Sequence, residues 1–208
     1  MSVQARNKLL ILGAGGHGKV CADIALHMQR WDEIAFLDDN PPLQNPLGLK
    51  VLGIISEVDS FLSDYEIFVA IGNNKVRGSI LTSLQSQGAA IATLIHPCSV
   101  IGAEVEVGKG TAIMAGAVIN CCTRIGTGCI INTGATIDHD NVLEDDVHVS
   151  PGVHLAGTVF VGQYTWIGIG AVVINNVSIA QDIVVGAGAA VIHDLVQSGT
   201  YIGIPARK

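Results

Sequence analysis

From Ile101 onward, every sixth residue is aliphatic. Ile101, Val107, Ile113, Ile119, Ile125, Ile131, Ile137, Leu143, Val149, Leu155, Val161, Ile167, Val173, Ile179, Val185 and Val191 are all Ile, Val or Leu, with no slip in register. Four residues beyond each, the position is small or aliphatic, as at Thr111, Ala117, Thr123, Cys129, Ala135, Val147 and Val153; Asn141 is the exception. A short fixed period of this kind marks a solenoid, in which each repeat buries its apolar face on its neighbours. The composition agrees: 49% of the residues are hydrophobic but only 4% aromatic, and 25 of 208 are glycine. Such side chains fill tightly stacked short strands better than a helical bundle.

Residues 7 to about 95 follow a different period. "KLLILGAGG" reads as a buried strand entering a glycine turn, and "GKVCADIALHMQR" has apolar residues at helical spacing. "EIAFLDDN" and "EIFVAIGNN" read as further strands, "NPPLQNPLG" as a loop, "VRGSILTSLQSQG" as a helix stopped at Gly88, and "AIATLIHP" as a last short strand. This alternation implies a small parallel sheet covered by helices. We therefore expect a Rossmann-like α/β domain over residues 1–95 and the solenoid over 96–208.

Bulk properties exclude some functions. A net charge of −7 argues against a nucleic-acid partner, so an anionic ligand must be held by backbone amides and a few basic groups. No apolar run approaches the roughly 18 residues of a membrane span, and the apolar run in "MSVQARNKLLILGAGG" leads into a glycine turn rather than a signal-cleavage pattern. The cysteines (Cys21, Cys98, Cys121, Cys122, Cys129) are odd in number and lack C-x-x-C spacing, as expected of reduced thiols in a cytoplasmic protein.

The repeat, in units such as "IGTGCI" and "VGKGTA", resembles the hexapeptide motif of the left-handed β-helix acyltransferases. That resemblance implies three six-residue faces per coil, about 18 residues per turn, and a homotrimer with active sites between subunits. In this frame His139, in "NTGATIDHDNV", is third in its hexapeptide and points outward, with Cys121 and Gly157 in the coils on either side. An exposed histidine on a repetitive surface is ordinarily inert. Here Asp140 is placed to orient the imidazole, and Gly157 offers a backbone N–H without side-chain cover where an oxyanion could form.

The resemblance narrows further. "GAGGHGKV", "FLDD", "AIGNN" followed by Arg77, "LIHP", "INTGATIDHD", "HVSPGVHLAGTVFVG" and "GIPARK" together resemble the nucleotide-aminosugar N-acetyltransferases, which acetylate 4-amino sugars on the route to bacillosamine or GDP-perosamine; the sialic acid O-acetyltransferases are closely related. The family implies acetyl-CoA as co-substrate, His139 as base, Asp140 as its orienting acid, Asn132 and His148 as further active-site positions, and Gly157 as donor to the thioester carbonyl. It also implies direct transfer, so no cysteine is required. Cys121, beside His139, is expected to be packed in its coil and not to act as a nucleophile. Along a solenoid groove, His148, Gly157, Ile169, Ala187, Gly188 and Ala189 are candidates to receive acetyl-CoA, with Arg207 and Lys208 near its phosphates.

The glycine loop adds a second site. "GAGGHG" fits G-x-G-x-x-G at Gly13, Gly15 and Gly18, with Asp38 and Asp39 some twenty residues later. The motif encodes amides and a helix N-terminus facing a phosphate, which serves NAD or a nucleotide-sugar diphosphate equally; Val20 replaces the hydroxyl residue a P-loop needs. The resemblance assigns it to the nucleotide sugar: Gly15, Gly16 and His17 at the phosphates, Asp38 and Asp39 at the nucleoside, Asn73, Asn74 and Arg77 on the far side. The glycines could equally serve only to pack strand on helix, and Asn73 and Asn74 only to make a turn. UDP is expected, with GDP and sugar O-acetylation as alternatives. No metal is expected, because the spacings His139–His148 and His148–His154 do not match the zinc histidines of the solenoid carbonic anhydrases. An NAD-linked oxidoreductase would need a larger catalytic domain, and an inert scaffold has no use for the His139–Asp140 pair.

Overall fold

The computed structural model describes residues 7–40 and 45–208. It divides into two compact units, Met1–Pro97 and Cys98–Lys208. The first unit is an α/β layer. Strands β1 (Lys8–Leu12), β2 (Glu33–Leu37), β3 (Val51–Gly53) and β4 (Glu66–Val69) form one parallel sheet in the order β3-β2-β1-β4. Helices α1 (Gly16–Met28) and α2 (Asn74–Ser86) follow β1 and β4. Leu9, Leu10, Ile11 and Leu12 are all fully buried, because a central parallel strand is covered on both faces. Each such side chain contributes about 1.5–3 kcal/mol. The strand order reverses at β1, where ligands of open parallel sheets enter at the strands' carboxyl ends. Three segments meet there: Gly13–Gly18 after β1, Asp38 and Asp39 after β2, and Ala70–Asn74 after β4.

Some local expectations need correcting. Helix α2 begins at Asn74, earlier than its apolar period suggests, because the Asn73 side chain accepts from Val76 N at 3.1 Å and caps it. The strand expected over residues 90–97 shrinks to Leu94–Ile95 plus a single bridge from Ile91 to Ile67. The expected loop over residues 40–48 lies partly outside the described residues, and Pro46–Gly48 within it forms a 3-10 turn. Strand β3 and the 3-10 helix Ile55–Phe61 escaped the sequence reading, being too short or too irregular to show a period.

The second unit is a left-handed parallel β-helix. Ile130 pairs with His148, Thr136 with His154 and Val142 with Phe160, so each coil takes 18 residues. Three sheets run along it. Face one carries residues 130–131, 148–149 and 166–167; face two carries 118–119, 136–137, 154–155 and 172–173; face three carries 124–125, 142–143 and 160–161. Of the sixteen periodic aliphatic residues all but Ile101 and Val107 are at most 3% exposed, and those two belong to the first coil, beneath which no other coil stacks. The hydroxyls of the second column are paired too: Thr111, Thr123 and Thr165 donate to the carbonyls of Gly126, Asp138 and Ala180 at 2.8–2.9 Å. No helix among the described residues is long and apolar enough to cross a membrane.

Candidate active site

His139 lies on the edge where the chain turns from face two to face three. Its ring is 57% exposed, and its Nδ1 is 2.7 Å from Asp140 Oδ2. Asp140 reaches it because its backbone adopts the left-handed conformation, φ 58°, at the corner of the coil. The ring rests on Gly157 one coil on: a Cβ added there would stand 2.6 Å from both Cε1 and Nε2. Among the described residues the Gly157 N–H has no acceptor. The turn is tied to its neighbours, with Asp140 N donating to Cys121 O at 3.2 Å, Thr158 N to His139 O at 3.0 Å and Asn120 Nδ2 to Asp138 Oδ1 at 2.7 Å.

The break in the repeat explains itself here. Asn141 is fully buried, and its amide donates to the carbonyls of Asp138 at 2.7 Å, His139 at 3.3 Å and Ala156 at 3.0 Å, while its Oδ1 accepts from Val159 N at 3.2 Å. One side chain thus braces both the His139 turn and the strand end before Gly157. The sequence signal was present, a polar residue in an apolar column, but not its meaning. Asn141→Val should lower stability by about 1–3 kcal/mol, because the Ala156 carbonyl and the Val159 N–H lose their partner while the Asp138 and His139 carbonyls keep only Thr123 Oγ1 and Thr158 N, and should lower turnover with it. Urea unfolding and initial rates check this; Asn141→Thr should recover part of both.

A second feature occupies a different edge, between faces one and two. A cleft of about 430 Å³ is lined by Asn132, His148, Ser150, Trp166, Ile169 and Ala187, among others. The Asn132 amide lies 3.4 Å from His148 Nε2, and the His148 ring stacks on Trp166 with centroids 5.7 Å apart and planes 8° from parallel. Trp166 is fixed in turn by donating Nε1–H to Ser150 Oγ at 2.8 Å. Trp166 was missed in the sequence, although it is the register partner of His148 one coil on. Within one chain, then, Asn132, His148, Ile169 and Ala187 gather on one edge, while His139, Asp140 and Gly157 gather on another. Gly188 follows the cleft with φ 64°. The Ala189 side chain faces the core and is fully buried, so only its backbone could meet a ligand. Cys121 is also a correction: it is exposed, because the third position of each hexapeptide points away from the packed interior. Lys208 Nζ reaches Gln197 Oε1 at 3.5 Å.

The glycine loop divides by role. Gly13 and Gly18 are packing residues: φ is 103° at Gly13, where a Cβ would come 3.0 Å from Ala70 O, and at Gly18 a Cβ would collide with Gly13 O. At Gly15 and Gly16 a Cβ would meet nothing, so open space lies before the N-terminus of α1. Asp38 braces the loop, accepting from Ala14 N at 2.6 Å and Asn40 N at 2.7 Å, and Asp39 accepts from Ile55 N at 2.9 Å. Arg77 is 1% exposed and donates to the carbonyls of Ile71 and Gly72 and to Asn74 Oδ1. His17 sits 3.6 Å from the Cys21 thiol. Burial, and then the Arg77 charge, hold its pKa down to about 4. The unfolded imidazole titrates near 6.5, so stability from this group is full above that pH and is lost as pH falls toward about 4. The whole shift corresponds to about 3 kcal/mol. Urea unfolding followed through buried Trp31 in a Trp166→Phe background should show this slope, and His17→Gln should flatten it. Among the described residues no three His, Cys, Asp or Glu side chains gather as metal ligands would.

Known proteins resemble this chain in sequence and fold. Residues 8–84 match the family model described as the PglD N-terminal domain. The chain is 31% identical over 185 residues to the GDP-perosamine N-acetyltransferase of Escherichia coli O157:H7, covering 86% of this chain and 82% of that one. The protein belongs to the nucleotide-aminosugar N-acetyltransferases. Among solved members of this fold, the acetyltransferase domain of PglB from Neisseria gonorrhoeae FA1090 superposes with a TM-score of 0.94 at 36% identity, over 97% of this chain and 98% of that one; it has also been solved in complex with acetyl coenzyme A. PerB from Caulobacter crescentus, in complex with CoA and GDP-perosamine, gives a TM-score of 0.90 at 37% identity over 96% of each chain.

Proposed function

We propose that this acetyltransferase moves the acetyl group of acetyl-CoA directly onto the 4-amino group of a nucleotide-linked amino-deoxysugar, with His139 as general base. One observation carries the reading: an exposed imidazole, held by a carboxylate through Nδ1, lies against a glycine whose N–H has no acceptor among the described residues. Because Nδ1 is engaged by Asp140, Nε2 is the nitrogen that takes the proton. A sugar ammonium is the dominant form at neutral pH and cannot attack until it is deprotonated. His139 removes the proton, the amine nitrogen bonds to the thioester carbonyl carbon, and the Gly157 N–H holds the oxyanion. The C–S bond then breaks, CoA leaves as thiolate, and that thiolate takes up the second proton that the acetylated nitrogen sheds. Asp140 keeps the imidazole oriented and stabilises the imidazolium that forms.

The two edges explain an assembly. Asn132 and His148 cannot act beside His139 in one chain, so the working site takes the His139 edge from one subunit and the His148 cleft from the next, in a homotrimer with three such sites. The apolar cleft, with Ile169 and Ala187 in its wall, suits the pantetheine arm. In the amino-terminal unit, the open amides at Gly15 and Gly16 and the N-terminus of α1 suit a diphosphate. The setting is cytoplasmic, in keeping with five cysteines that form no disulfide among the described residues.

A UDP-linked sugar in bacterial glycan synthesis is the first substrate we propose. A GDP-linked one is the second, favoured by the GDP-perosamine relative that covers most of the chain. Thiol release from acetyl-CoA against a panel of UDP- and GDP-linked 4-aminosugars, with matching hydroxy sugars, tests this. Turnover with a 4-amino sugar alone is expected. Turnover with the hydroxy sugars alone would make the protein an O-acetyltransferase instead.

A further inference from the structure

Cys121 and Cys122 lie one coil from the catalytic pair, in the same two columns as His139 and Asp140. Both are exposed and free. Cys122 has the left-handed backbone of its corner, φ 61°, and its N–H donates to Ala103 O at 3.0 Å. The Cys122 thiol donates to Glu104 Oε2 at 3.7 Å; desolvation first, then neighbouring Cys121, then the Glu104 and Asp140 carboxylates push its pKa up. The Cys121 carbonyl is the acceptor for Asp140 N at 3.2 Å. That carbonyl belongs to the peptide joining the two cysteines, the unit that a disulfide between neighbours encloses in its ring.

We propose that this vicinal dithiol is a covalent modification site that closes to an internal disulfide on reaction with a small-molecule disulfide of the glutathione class, and that closure disarms the His139–Asp140 pair. In the first step the Cys121 sulfur, as thiolate, attacks the small disulfide; a mixed disulfide forms and one small thiol leaves. The Cys122 sulfur then attacks Cys121 Sγ, an internal S–S bond forms, and the second small thiol leaves. The two cysteines lose two electrons and two protons, and the small disulfide gains both. The raised pKa of Cys122 makes Cys121 the first to attack, and in the second step the Cys122 proton passes to the departing small thiolate as the ring closes. Ring closure reorients the enclosed peptide, and with it the carbonyl from which Asp140 hangs. The carboxylate then no longer holds Nδ1 in place.

The effect on turnover rests on the role proposed for His139; the covalent site does not. The test treats full-length wild type, Cys121→Ser and Cys122→Ser with oxidised glutathione. It reads intact mass, peptide mapping, the nitrogen resonances of the His139 ring and turnover. Wild type should lose two hydrogens within the 121–122 peptide, with the exposed Cys98 taking a glutathione adduct as the comparison. Turnover should fall about tenfold to a hundredfold, the scale of a misplaced catalytic group, the His139 resonances should shift, and dithiothreitol should reverse both. Each serine variant should stop at a mixed disulfide and form no ring. Glutathione adducts at position 121 or 122 that never resolve, or a closed ring with unchanged His139 resonances and turnover, would overturn the proposal. If reduced wild type turned over no aminosugar at all, the functional reading would fail while the mass and resonance results still decided this one.

Discussion

Replacing His139 with Ala is expected to lower kcat by at least about a hundredfold, the usual scale for losing a general base. KM for acetyl-CoA should change little, because the ring is needed for the proton and not for holding the thioester. The ring is exposed and its removal leaves the aliphatic core untouched, so the variant should fold and melt as wild type does. Asp140→Asn should cost less than His139→Ala, since it removes an orienting partner and leaves the base. A loss of less than tenfold in His139→Ala would mean that the proton leaves by another route.

Gly157→Ala should be nearly as damaging to turnover, for a steric reason. The added Cβ would lie 2.6 Å from Cε1 and Nε2 of His139, inside any normal contact distance. The imidazole, free on its exposed side, is the part that yields, and it swings out of reach of the bound amine. A displacement of this size costs about a hundredfold. Gly157 does not occupy the left-handed backbone region, so alanine adds no backbone strain and Tm should hold. The double variant with His139→Ala is diagnostic: once the ring is gone the methyl group has nothing to displace, so the double should match His139→Ala alone. Simply additive losses would show that Gly157 acts independently of the ring.

The solenoid was legible because its period is rigid: sixteen aliphatic residues at one spacing leave few ways to fold. The same arithmetic put His139 against Gly157 and Asp138 against Asn120, and it would also have separated Asn132 from His139, which stand seven residues apart, about one face rather than a whole 18-residue coil, and so lie on different edges. Hydrogen-bond roles were not legible. Asn141 stood out as an exception, but nothing in its spacing says that it grips the carbonyls of Asp138, His139 and Ala156. Asp38 reads as a ribose acid by position, yet its oxygens are spent on the amides of Ala14 and Asn40. The four letters of the glycine motif look alike in sequence. Only the space around each shows that Gly13 and Gly18 pack while Gly15 and Gly16 face an opening. The spacing says nothing of Trp166, which stacks on His148 in a cleft.

In the assembly proposed above, catalysis needs the His139 edge of one chain and the His148 cleft of another. Co-expression of His139→Ala and His148→Ala chains tests it most directly, because each homotrimer alone lacks one half of every site. In a mixed trimer one interface joins two intact halves, so turnover should return to about one third of the wild-type sites per mixed trimer. Mixed trimers no more active than the two separate variants would contradict the account and place both halves of the site within a single chain.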